Sequence, residues 1–141
     1  MKSFQHLCAV LLCILASQAA PAADLPLPAA QQQGAISFVT GGIGSDEAQA
    51  FRSAAAQYNL RLTLAAVSGE FFAGVRVTLR DAQGNTVVEA VSDGPYLFLN
   101  VPPGRYQVTA DNLGQVQRRN ALVRTKGATE LYLRWKTTTE Q

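Results

Sequence analysis

The chain has 141 residues, and 48% of them are apolar, so one ordinary domain with a packed core is expected and global disorder is excluded. The net charge of +2 argues against a general nucleic-acid binder, which would carry a clustered excess of Lys and Arg.

Lys2 gives the chain a positive start, Leu7 to Ala16 is a short apolar run, and Ala20-Pro21-Ala22 has the small residues of a cleavage site. This is the layout of a secretory signal peptide over residues 1–22, with an apolar run too short for a transmembrane anchor. Cleavage after Ala22 would remove His6, Cys8 and Cys13, the only histidine and cysteines in the sequence. A periplasmic or secreted chain without imidazole or thiol is then expected. That composition excludes thiol nucleophiles, zinc sites built on His or Cys, and Ser-His-Asp triads. No cofactor, no metal and no stable membrane anchor after cleavage are expected.

Residues 23–35, with Pro26, Pro28 and Gln31-Gln32-Gln33, read as a flexible leader. Residues 36–59 read as a short strand, a glycine loop and a helix. Ile36 to Val39 is the apolar run and Gly41 to Ser45 the loop. Ser45 or Asp46 is the expected N-cap, with Asp46 and Glu47 at the positive end of the helix dipole. Ala48, Phe51, Ala55 and Tyr58 fall on one helical face. The glycines lack both G-x-G-x-x-G and Gly-Lys-Ser/Thr spacing, so the loop reads as a structural turn and not a phosphate site.

From Leu60 the period changes to two. Leu60, Leu62 and Leu64 alternate with polar neighbours, as do Val75, Val77 and Leu79, then Tyr106, Val108 and Ala110, then Leu131, Leu133 and Trp135. Asp81 to Asn85 marks a hairpin, Asp93-Gly94-Pro95 and Pro102-Pro103-Gly104 mark two further turns, and Asn112-Leu113-Gly114 another. The pattern predicts a mainly β chain: an antiparallel β-sandwich of about seven strands over residues 60–136, preceded by one α-helix and followed by a tail at 137–141.

Ser68-Gly69, Gly74-Val75-Arg76-Val77-Thr78-Leu79, Asp81-Ala82-Gln83-Gly84, Ser92-Asp93 and Val101 to Ala110 together resemble the carboxypeptidase regulatory-like domain. The Pro-Pro-Gly-x-Tyr-x-Val segment is the most specific part, and the resemblance covers Leu60 to Trp135. It implies a prealbumin-like (transthyretin-like), Greek-key sandwich. The compressed Asp93-Gly94-Pro95-Tyr96 and the preceding glycine loop and helix depart from the family pattern. The resemblance brings no catalytic residues, and the arrangement looks like that of small exported bacterial proteins.

Candidate site residues are few. Asp93 before Gly-Pro is read as a turn residue and not a metal ligand or acid. Nothing in the spacing brings Asp81 and Glu89 together as an acid–base pair. Phe71 and Phe72 are adjacent, so an extended strand cannot send both into one core, and one of them marks a possible binding patch. Tyr132 alternates with Leu131 and Leu133, and with Arg134 and Lys136 forms a candidate aromatic-basic surface. Arg118 and Arg119 extend a mildly basic C-terminal third. The expected function is a non-catalytic exported accessory or binding module that contacts a protein or glycan of the cell envelope, with no nucleic-acid partner. The alternatives are a structural homo-oligomer and, more remotely, a carboxylate-based glycan-processing enzyme.

Overall fold

The computed structural model describes residues 26–137. The signal-peptide reading over 1–22 and most of the expected tail lie outside these residues. The described chain is mainly β: two sheets and a single α-helix, in a sandwich-like arrangement.

The strands are β1 (Gln31–Gln33), β2 (Ile36–Gly41), β3 (Leu60–Ala66), β4 (Arg76–Arg80), β5 (Thr86–Val91), β6 (Tyr96–Asn100), β7 (Gly104–Asn112), β8 (Gln115–Val123) and β9 (Thr129–Trp135). The helix α1 spans Ser45–Ala54 and runs into a 3-10 turn at Ala55–Gln57. One sheet has the order β1-β2-β6-β3-β9 and the other β5-β4-β7-β8. Seven strands thus follow Leu60, and two more precede the helix.

The alternation read from the sequence sets the core. Leu60, Leu62, Leu64, Leu97, Leu99, Leu133 and Trp135 from the first sheet meet Val77, Leu79, Val88, Val108, Ala110 and Val123 from the second. Strand β6 does not alternate: Leu97, Phe98 and Leu99 are all buried. The reason is its central place in the sheet. Leu97 and Leu99 enter the core, while Phe98 enters a second cluster with Val39 and the helix residue Phe51 on the outer face. A strand covered on both faces reads as a continuous apolar run.

Four features differ from expectation. The purely antiparallel arrangement fails at one pair, since β3 and β9 run parallel from Leu60↔Thr129 to Ala66↔Trp135. The chain leaves the first sheet after β6, forms β7 and β8 in the second, and returns to the far edge of the first. Gln31–Gln33, expected in a flexible leader, pairs with β2. The Gln33 side-chain amide donates to the Glu89 carbonyl (2.7 Å) and accepts from the Glu89 N–H (3.0 Å), acting as a substitute peptide that joins the edges of the two sheets.

The other two differences concern the helix. Its N-cap is Gly44, at φ 87°, with no side-chain capping bond from Ser45 or Asp46. Instead Glu47, at the third helical position, reaches back and accepts the Gly42 N–H at 2.7 Å. The glycine loop is thus closed by the chain's own carboxylate. The buried helix residues are Ala50, Phe51 and Ala54, while Ala48 is only partly covered. The tightening to a 3-10 turn after Ala54 rotates Ala55 and Tyr58 to the margin of that face, where they still pack on the outer cluster.

The first passage from the second sheet back to the first, between β5 and β6, is the turn Ser92 to Pro95. Ser92 N donates to Val75 O (2.9 Å), Gly74 N donates to Ser92 O (2.6 Å), and the Ser92 hydroxyl accepts from Val75 N (3.1 Å). The Thr40 hydroxyl accepts from Asp93 N (3.0 Å) and donates to Tyr96 O (2.9 Å). Thr40 and Ser92 are the buried polar residues of the described chain, and both serve this turn. Gly94 lies against the Gly41 backbone: a β-carbon there would sit 2.6 Å from the Gly41 carbonyl carbon.

The second turn, Pro102-Pro103-Gly104, is held by Tyr106, whose hydroxyl donates to Pro102 O at 2.6 Å. This is the tyrosine-corner device, in which a strand tyrosine bonds back to the backbone a few residues upstream. Burial, and secondarily the charge of Asp81, push the Tyr106 phenol above its ordinary value.

Two predictions follow from these turns. Gly94→Ala forces a carbon into backbone and is expected to cost about 3 kcal/mol or prevent folding, whereas Gly127→Ala meets open space at φ +84° and costs only about 1 kcal/mol. Urea unfolding compares them, and equal losses would count against the close approach. Tyr106→Phe is expected to lose about 1 kcal/mol at neutral pH. Because the folded pKa is raised, the tyrosine's contribution is fully present below the ordinary value of about 10 and is lost as pH rises through the folded value. The stability gap between wild type and Tyr106→Phe should therefore narrow above about pH 10. A gap that widens there would contradict this assignment.

Candidate functional site: an aromatic groove on the outer sheet face

The helix covers only part of the outer face of the first sheet. Phe51 packs on Phe98 (ring centroids 5.2 Å apart, edge-on) and on Tyr96 (5.4 Å), closing the face over β2 and β6. Strands β3 and β9 contribute no residue to this outer cluster. Alternation sends Arg61 and Thr63 from β3, and Glu130, Tyr132 and Arg134 from β9, to that same face.

Register sets their order. Arg61 lies between Phe98 and Glu130, and Thr63 lies between Tyr96 and Tyr132. Two rungs therefore cross the face, one with a charged pair and one with two tyrosines. Arg61 and Glu130 form an ion pair at 3.1 Å. Arg61 Nε is sealed from solvent without an acceptor, so this guanidinium is only partly satisfied.

Phe71 completes the groove. Its backbone bridges to Ala65, and its ring stands 6.4 Å from that of Tyr96 while remaining 61% exposed. Tyr132 is 58% exposed. Together with Arg52 from the helix, these residues border an open groove of about 350 Å³. That is within the usual range for a small-molecule site, at its small end. Exposed aromatic rings beside a paired arginine and carboxylate suit a ligand with both an apolar face and hydroxyls. The rings receive the apolar face, and Glu130 and the guanidinium groups exchange hydrogen bonds with the hydroxyls.

The adjacent phenylalanines have separated. Phe72 turns inward onto Trp135, at 5.9 Å and edge-on, while Phe71 turns outward. Tyr132 joins Phe71 in the groove. Arg134 is one alternation step along β9, beside Ala65, and its side chain does not line the groove.

Arg118 and Arg119 belong to β8 in the other sheet. Arg118 shares a face with Thr109, the outer face of that sheet. Arg119 donates to Arg118 O and Gln117 Oε1, at 2.9 and 3.2 Å. Tyr132 and Arg134, expected on one aromatic-basic surface, share the outer face of the first sheet, while Arg118 and Arg119 lie in the other sheet, because β8 and β9 meet as edges and not as ladder partners. Gln117 donates to Arg134 O, Thr129 to Leu122 O and Trp135 to Gln115 O across that seam.

Arg52, Arg61, Thr63, Tyr96, Phe98 and Glu130 were not candidates from the sequence. Their outward positions follow from alternation, but their convergence follows only from non-local pairing. Asp81 is occupied at its hairpin, where Oδ1 accepts from Gln83 N (3.0 Å) and Asn85 N (2.9 Å). Glu89 sits on β5 with its backbone bonded to Gln33. Asp93 is exposed, and its backbone N–H makes its bond to Thr40. Among the described residues no group of three or more His, Cys, Asp or Glu could hold a metal ion. No protein-family model matches the chain, and no curated protein matches it.

The split between the two phenylalanines has a measurable consequence. Phe72→Ala should cost about 2 kcal/mol by emptying the space beside Trp135, while Phe71→Ala should change stability by less than about 0.5 kcal/mol. Paired thermal and urea denaturation would show it, and equal losses would place both rings in the core.

Proposed function

We propose that this chain is a non-catalytic, exported binding module whose outer-face groove takes a glycan of the cell envelope. The observation that carries the reading is the pair of exposed rings, Phe71 and Tyr132, beside the Arg61–Glu130 ion pair. A pyranose ring has an apolar face that stacks on aromatic rings and a rim of hydroxyls that bond to carboxylate and guanidinium groups. Glu130 is the groove's carboxylate and is paired to Arg61, which suits recognition better than acid–base chemistry, where a second free carboxylate is needed.

The apolar start of the sequence and its Ala20-Pro21-Ala22 segment support export to the periplasm or beyond. The Pro102–Tyr106 corner and the seven strands from Leu60 to Trp135 support the finer reading of the fold as a prealbumin-like, Greek-key sandwich of the carboxypeptidase regulatory-like type.

The test is NMR titration of the labelled protein with soluble peptidoglycan fragments and β-linked glucan oligomers. Weak binding, with Kd of about 0.1–1 mM, is expected for a shallow groove. The shifts should be centred on Phe71, Thr63 and Tyr132. Tyr132→Ala should weaken binding about tenfold while leaving the unfolding midpoint nearly unchanged. Absence of binding to every glycan, or shifts centred away from the groove, would overturn the reading.

A further inference from the structure

The outer face of the second sheet carries a different surface. Alternation sends Arg80 from β4, Arg105 and Gln107 from β7, and Asn120 and Leu122 from β8 to that face. Register sets Arg80 beside Gln107, Gln107 beside Asn120, and Arg105 beside Leu122. The pairing of β4 with β5 is irregular between Leu79 and Arg80, and such bulges bend a strand and re-aim its side chains. With the Asp81 hairpin, Arg105, Gln107, Asn120 and Leu122 border an open groove of about 640 Å³. A second groove of about 390 Å³, bordered by Arg124 and Lys126 of the β8–β9 turn, shares Leu122 with it. The two meet there and form one channel from the sheet face onto the turn.

The channel is strongly cationic for a chain of net charge +2. Arg105, Arg124 and Lys126 border it, and Arg80 and Arg118 stand beside it on the same sheet face. All five are exposed. One carboxylate borders the channel, that of Asp81, and its Oδ1 accepts from Gln83 N and Asn85 N within the hairpin. The other outward carboxylates of this sheet, Glu89 and Asp111, border neither groove. Among the described residues the ion pair is Arg61–Glu130 on the other sheet, and none of the five channel cations is paired with a carboxylate. Like charges gathered without counter-charges repel one another, so the fold gains nothing from this cluster.

We infer that this channel binds a linear acidic polysaccharide, with its carboxylates on the arginine and lysine side chains and its hydroxyls on Gln107 and Asn120. A guanidinium fork matches a carboxylate at two points, and the two facing amides supply both donors and acceptors for hydroxyls. A recess lined by one sign of charge concentrates an oppositely charged chain. The lining disfavours other occupants. The aromatic residue at its border, Tyr106, is buried with its hydroxyl bonded to Pro102 O, so nucleic-acid bases find no ring to stack on. Leu122 is its one large exposed apolar side chain, too little for the apolar core of a protein interface. The cations follow a recess from the sheet face onto a turn, and a flat headgroup layer does not reach them together. The site is separate from the aromatic groove and does not depend on that groove's ligand.

Calorimetric and NMR titration of the labelled full chain with oligogalacturonate, a linear polyuronate, tests this. Several weak charged contacts acting together should give a Kd of about 10–100 µM at low salt. The side-chain amides of Gln107 and Asn120 should shift, and neutral β-glucan oligomers should not move them. Salt at about 1 M, where screening leaves a range of about 3 Å, should weaken binding about tenfold or more. Arg105→Gln and Lys126→Gln should each weaken binding about three- to fivefold with the thermal midpoint unchanged, since both side chains are exposed. Arg134→Gln, which removes an exposed charge outside the channel, and Tyr132→Ala should bind as wild type does. The inference is overturned if the polyuronate does not bind, or if Arg134→Gln costs as much as Arg105→Gln. It is equally overturned if single-stranded DNA or anionic vesicles bind the same residues more tightly.

Discussion

The two sheets share a core but only a few places where the backbone passes between them, and the packing depends on the turn from Ser92 to Pro95. Here the chain leaves the second sheet at β5 and enters the centre of the first at β6. Two buried hydroxyls satisfy backbone groups that neither ladder reaches: Ser92 takes the Val75 N–H, and Thr40 bridges the Asp93 N–H and the Tyr96 carbonyl. Buried polar groups left unpaired at such a crossing would cost about 1–3 kcal/mol each. Gly94 against the Gly41 backbone sets how closely β2 and β6 approach at this end. The position of β6 then fixes the rest, because it is the central strand on which both the core and the helix are packed.

Sandwich edges are open ladders that invite unwanted pairing. At both edges this chain uses side chains as substitute backbone. Gln33 makes a two-point, peptide-like contact with Glu89 between β1 and β5. On the other side Gln117, Thr129 and Trp135 bond to main-chain carbonyls across β8 and β9. Asn59 repeats the device inside the structure, accepting from Val101 N and donating to Val101 O at 2.9 and 2.7 Å. Amide side chains suit this because they carry the same donor and acceptor as a peptide group.

The groove is a consequence of how little the helix covers. A ten-residue helix is long enough to shield two strands of a five-stranded sheet, and it is seated over β2 and β6 by Phe51. The uncovered part of the face is where Phe71 and Tyr132 remain exposed.

Much of this molecule was legible locally. Alternation at Leu60–Leu64, Val75–Leu79 and Tyr106–Ala110 set which side chains enter the core, since a strand's period of two follows from backbone geometry alone. The Asp81–Asn85 hairpin and the Pro102–Gly104 turn were legible because their residues restrict φ or supply local acceptors. What the sequence could not determine was set by contacts between distant segments. The parallel pairing of β3 with β9 depends on the route of the chain, and the strand at Gln31–Gln33 on a glutamine finding a backbone 56 residues away. The separation of Arg118 and Arg119 from Tyr132, and the meeting of Tyr132 with Phe71, Arg61 and Tyr96, likewise depend on which sheet each strand joins. The sequence by itself determined the faces of each strand, because that is a property of neighbouring residues. Only the tertiary structure decided which faces met, because sheet order is selected by the total burial of apolar surface and no local segment encodes it.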